Sequence, residues 1–134
     1  MSNSKAIGVA FLDPEFSTVY ATEEIGYSAD AQGAVTQLTN KATAVTINKS
    51  AGRITMSNSS VTATTNVSFS MNNSTITAKD VLILNVSSGA TPAAYNIWVN
   101  ELVAGQANIT LRNTTASPLA EAITVNFAII HNAS

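Results

Sequence analysis

Cysteine is absent from the 134 residues, which excludes disulfides, thiolate nucleophiles and cysteine-based zinc sites. Charge is scarce: Asp, Glu, Lys and Arg make up 10% of the chain, against roughly 25% in a typical soluble domain. A free monomer with so few charges has weak colloidal repulsion, so the composition favours a chain whose surface is covered in an assembly. No apolar run approaches the roughly 20 residues of a membrane-spanning helix. The apolar patch Ile7–Leu12 is too short for a signal-peptide core, and acids follow at once. A leaderless chain is therefore expected. Asn-x-Ser/Thr triplets such as Asn66-Val67-Ser68 and Asn113-Thr114-Thr115 are then expected to carry no glycan. The net charge of −2 provides no basic field for nucleic acid.

The polar residues that are present are mostly Thr, Ser and Asn, types that suit strands and turns better than helix interiors. The length matches about one domain with a single modest core. Charge is unevenly placed. Residues 1–33 hold one cation, Lys5, against Asp13, Glu15, Glu23, Glu24 and Asp30. The remainder holds Lys41, Lys49, Arg53, Lys79 and Arg112 against Asp80, Glu101 and Glu121. Residues 1–33 thus read as an acidic arm and residues 34–134 as the folded body. Within the arm, Ile7–Leu12 suits one short strand stopped by Asp13-Pro14, and a weak helix is expected around Val19–Ile25. Three aromatics and an isoleucine between Phe16 and Tyr27 argue against a purely solvated tail. They point to docking on a neighbouring subunit, with Phe11, Phe16, Tyr20 and Tyr27 as anchors.

From Gly33 onward every signal is β. Ala44–Asn48 and Ile54–Met56 alternate apolar with Thr or Asn around Lys49-Ser50-Ala51-Gly52-Arg53, which predicts a hairpin with a glycine-containing turn. Further strands are expected at Ala34–Gln37, Asn66–Met71, Val81–Leu84, Tyr95–Val99, Gln106–Leu111 and Ile123–Ile129. Val81–Leu84 is apolar on both faces, as for a central strand covered on each side. About eight short strands with turn signals every eight to twelve residues predict an antiparallel β-sandwich or jelly roll.

Chemistry is harder to find. His131 is the lone imidazole, reads as a solvated tail residue, and cannot build a zinc site within one chain. Asp80, Glu101 and Glu121 sit at strand ends, where a carboxylate usually meets water rather than acting as a glycosidase acid or base. The serines lack a Ser–His–acid context by position in the chain. Gly33, Gly89 and Gly105 are isolated, so no phosphate-cradling loop is present. Trp98, alone in mid-strand, reads as core or as a subunit contact before a sugar-stacking platform. The chain reads as non-enzymatic, with no cofactor and no metal.

The string Val35-Thr36-Gln37, Lys41–Lys49 and Gly52–Met56 resembles a family of small structural proteins of tailed bacteriophages and prophages. The resemblance continues through Val67-Ser68-Phe69, Asn73–Ile76, Asp80-Val81, Ser88-Gly89, Tyr95, Ile109–Asn113, Glu121-Ala122 and Asn126–Ile129, covering roughly residues 33–131. It implies a virion component, a decoration or cement protein that is made in the bacterial cytoplasm and binds the capsid. The implied partners are other copies of the chain, as a homotrimer, and the major capsid protein, without nucleic acid or membrane. The rival expectation is a trimeric tail-fibre or tail-tip module that binds a host glycan through Trp98 and Tyr95.

Overall fold

A computed structural model describes residues 15–133. Phe11, the strand expected at Ile7–Leu12 and its Asp13-Pro14 stop lie outside the described residues. A 3-10 turn at Ala29–Ala31 leads into eight strands: β1 Gln32–Thr36, β2 Val45–Thr46, β3 Ala51–Thr55, β4 Asn66–Asn72, β5 Val81–Ser88, β6 Tyr95–Val103, β7 Gln106–Asn113 and β8 Thr124–Ile130. They form two four-stranded sheets, ordered β1-β3-β8-β5 and β2-β4-β7-β6. The expected β-sandwich body is present.

Val45, Ile47, Phe69, Met71, Ile109 and Leu111 from one sheet meet Ile54, Val125, Phe127 and Ile129 from the other. All are buried, because the period of two aims alternate side chains into the gap between the sheets. Each such side chain contributes roughly 1.5–3 kcal/mol through burial.

The pairing corrects the sequence reading in four places. First, β2 and β3 are not a hairpin: β2 pairs with β4, whereas β3 lies between β1 and β8 in the other sheet. Alternation fixes which face a side chain takes and leaves the partner strand open. Gly52, the expected turn residue, lies inside β3, where an added Cβ would fall 2.3 Å from the Gly33 carbonyl oxygen. It marks a close backbone approach. The hairpin actually formed joins β6 to β7 through Ala104-Gly105, with Gly105 at φ +80°. Second, the sheets are mixed, since β1–β3 and β2–β4 run parallel.

Third, Val81–Leu84 belongs to an edge strand, with Val81 and Ile83 exposed on the outer face. Fourth, no helix forms at Val19–Ile25, and residues 15–28 carry only bends. A short helix without an apolar surface to pack on is marginal.

Candidate functional site

Of the residues expected to bind partners, Tyr27 is fixed to the body. Its hydroxyl donates to the Ile129 carbonyl oxygen, and its ring stands edge-on to His131, with centroids 6.5 Å apart at 78°. Gln32 Nε2 donates to the Tyr27 carbonyl at 3.0 Å and Lys49 Nζ to the Asp30 carbonyl at 2.8 Å. N-terminal to this clasp, every described residue of the arm is exposed. Tyr20 and Ile25 retain 90% and 85% of their accessible surface, and Phe16 and Val19 are also bare.

Trp98 belongs to the other sheet, so the structure does not bring it near the arm. It lies on the outer face of β6, 38% exposed, and is not core. Around it runs a row of neutral polar groups: Ser68 Oγ meets Thr110 Oγ1 at 2.6 Å, and Asn100 Nδ2 donates to Asn108 and Thr110. Arg112 donates to Asn66 and Gln106 to Asn72 on the same face. Tyr95, three residues from Trp98 along the strand, packs instead against the core, with its enclosed hydroxyl near the Glu121 carboxylate and in no well-formed hydrogen bond among the described residues. Burial, with the Glu121 charge beside it, pushes its phenol well above the usual range. Tyr95 and Trp98 therefore cannot stack on one sugar.

The outer face of the first sheet differs. Val81 pairs with Ile130 and Ile83 with Ala128, which makes an apolar strip at the end of the sheet nearest Tyr27. Next to it an open groove of ≈600 Å³ crosses β1, β3 and β8, lined by Gln32, Ala34, Arg53 and Asn126 and by the side-chain-free backbone of Gly33 and Gly52. A second cavity of ≈250 Å³ lies by Pro92 and Tyr95.

One cluster escaped the sequence reading. Ser50 Oγ lies 2.9 Å from His131 Nε2, and His131 Nδ1 lies 3.1 Å from Asp80 Oδ2. His131 is thus a bonded residue, not a solvated tail, and the Asp80 carboxylate is buried instead of meeting water. Asp80 also accepts from the Thr77 and Asn132 backbone N–H groups at 2.8 and 2.9 Å. Those two bonds, with His131 adding to them, hold its carboxyl at about 2. With Nδ1–H donating to Asp80, Nε2 is left to accept the Ser50 proton, the sense of a serine nucleophile and its base. Acyl transfer also needs a concave seat and oxyanion donors. Neither cavity is lined by Ser50 or His131, and the Tyr27 ring packs against the imidazole. No spacing in the chain announces the cluster, because its members come from three separate segments.

A second buried group lies at the opposite end of β3. Lys41, 1% exposed, donates from Nζ to the carbonyls of Ser57, Ser59 and Glu121 at 2.5, 2.7 and 2.7 Å. Burial lowers its pKa, opposed by the Glu121 charge. Gln37 completes the cap, donating to the Lys41 and Thr43 carbonyls and accepting from Ser57 N–H. Glu121 takes the hydroxyl and N–H of Thr91, which lower its own pKa.

The glycosylation-type triplets at Asn73 and Asn113 are structural. Both side chains are buried, and their amide nitrogens donate to Lys49 and to Val61 and Ser117 carbonyls. Among the described residues, no group of three His, Asp or Glu side chains is placed to hold a metal ion, and no helix is long and apolar enough to cross a membrane. Comparison with protein-family models, curated proteins and solved structures returned no match.

Proposed function

We propose that this chain is a non-enzymatic structural component of a virion, a decoration or cement protein that binds the capsid surface and other copies of itself, as a homotrimer. The observation that carries the reading is the arm: an uninterrupted run of exposed residues bearing Phe16, Val19, Tyr20 and Ile25, none of which packs into the core of the body. Exposed apolar groups on a tethered, extended segment suit capture by a neighbouring protein surface. The sequence resemblance to small phage structural proteins supplies the setting, with the major capsid protein as the partner.

Quantitative mass spectrometry of purified particles tests this reading. Hundreds of copies per particle are expected; absence from particles overturns it. Deleting residues 2–26, which spares the Tyr27 clasp, is expected to leave the body folded and abolish capsid binding.

Trp98 favours a second reading, a trimeric tail-fibre or tail-tip module binding a host glycan. An exposed indole beside a row of amides and hydroxyls, with Arg112 on the same face, offers a stacking platform and hydrogen bonds. A few dozen copies or fewer per particle, with glycan binding lost in a folded Trp98→Ala variant, would select it.

The Ser50–His131–Asp80 row is read here as a polar cap on the sandwich. Hydrolysis of p-nitrophenyl acetate should be equal in the native protein and in Ser50→Ala. Turnover that disappears with Ser50 would make the chain an enzyme.

A further inference from the structure

We infer that the arm of one copy lies across the outer face of the β1-β3-β8-β5 sheet of another copy, with an arm aromatic seated in the open groove over β1, β3 and β8. The inference rests on the self-associating reading above and specifies where that association occurs. Three observations carry it.

The first is apolar complementarity between surfaces that the single chain leaves open. Residues 15–26 touch nothing closely enough to be shielded, while Val81, Ile83 and Ile130 stand half exposed on the sheet. Among the described residues the chain leaves its own strip uncovered, which opens it to the arm of another copy. The second is charge. Between Glu15 and Ser28 the arm has three carboxylates, Glu15, Glu23 and Glu24, and no cation. The receiving face offers Arg53, and an exposed Lys79 lies in the turn just ahead of β5, while the outward strand positions carry no carboxylate. Among the described residues Arg53 donates to Asn126 at 3.3 Å and pairs with no carboxylate, the one ion pair there being His131 with Asp80.

The third is reach. Twelve extended residues span about 40 Å, whereas four strands at about 4.8 Å spacing make a face under 20 Å wide. The arm leaves the body at Tyr27, beside Ile129, the same end of the sheet as the strip. It can therefore cross a neighbour's strip and still deliver Tyr20 or Phe16 to the groove. The small side chains of Ala34 and Ala51 line that groove, and Arg53 on its wall can meet both an aromatic face and Glu23 or Glu24.

The absence of cysteine makes the test clean. Full-length Ile25→Cys protein, altered where the arm crosses the strip, is mixed with full-length Ile83→Cys protein under mild oxidation. A heterodisulfide well in excess of either homodisulfide is expected. The double variant Ile25→Cys/Ile83→Cys, alone at low concentration, should give linked oligomers; a monomer closed on itself would overturn the inference.

Sedimentation of the cysteine-free protein should show an oligomer that Arg53→Glu weakens about tenfold or more in Kd, as for loss of one interface hot spot. Glu23→Lys/Glu24→Lys should do the same, and mixing or combining the two reversals should restore assembly. A monomeric native protein, or reversals that act without rescue, would overturn it. None of these measurements involves a virus particle, so failed rescue or linkage leaves the capsid-binding reading standing, a monomeric native protein removes only its homotrimer, and absence from particles leaves the arm exchange standing.

Discussion

The two ends of the sandwich bury opposite charges by mirror-image means. At one end Lys41 places its ammonium among three backbone carbonyls; at the other Asp80 places its carboxylate on two backbone N–H groups and His131. Each end also repeats one turn. Asn73 accepts from the N–H and hydroxyl of Thr75 at the Asp80 end, and Asn113 accepts from those of Thr115 at the Lys41 end. Where strands stop, carbonyls and N–H groups lose ladder partners and must find others. In a chain so poor in charge, two of its few ionised groups serve that task, while Arg53, Lys79 and the arm's glutamates stay exposed at the surface.

The comparison can be broken most severely at Lys41. Lys41→Ala should lower the unfolding free energy by about 3 kcal/mol, since it strands three acceptors and opens a void; chemical denaturation measures it. Asn113→Ala should cost about 2 kcal/mol, because two donors and two acceptances vanish from a fully buried site. Asn73→Ala should follow closely if the two ends are equivalent; a loss under half as large would show that they are not.

Acid should separate the ends more gently. The Asp80 carboxyl titrates at about 2 when folded and near 3.9 when unfolded. Its contribution is therefore fully present above about pH 4 and lost as pH falls toward 2. The native melting temperature should fall across that window, and Asp80→Asn should flatten the fall while lowering stability at pH 7. An unchanged slope in Asp80→Asn would remove the carboxylate from its assigned role. Ser50→Ala, at an exposed hydroxyl, should change stability by less than about 0.5 kcal/mol, the smallest effect expected.

Much of the fold was legible in the chain. Every expected body strand overlaps one that forms, because burial on one face imposes a period of two that survives any choice of partner. Partner choice was not legible. Gly52 carries the same sequence signal whether it turns a hairpin or admits the Gly33 carbonyl, and the structure uses it for the second. Val81–Leu84 looked central because both faces are apolar. Edge position and exposed side chains make that apolarity a surface, and the inferred docking makes it an interface. The Ser50–His131–Asp80 cluster and the Lys41 cap were invisible, since isolated Ser, Asp and Lys residues look solvent-bound until distant segments converge on them.

Sequence by itself determined the class, the strand positions, the acidic arm and the lack of thiol chemistry, because these depend on composition and on local alternation. Tertiary structure alone decided which strands pair, that β2 and β3 belong to different sheets, and which polar groups are buried. Those outcomes depend on contacts across as many as 102 residues of chain, as between Tyr27 and Ile129. No local pattern encodes the free energy of such contacts, which is settled only when the two sheets close on each other.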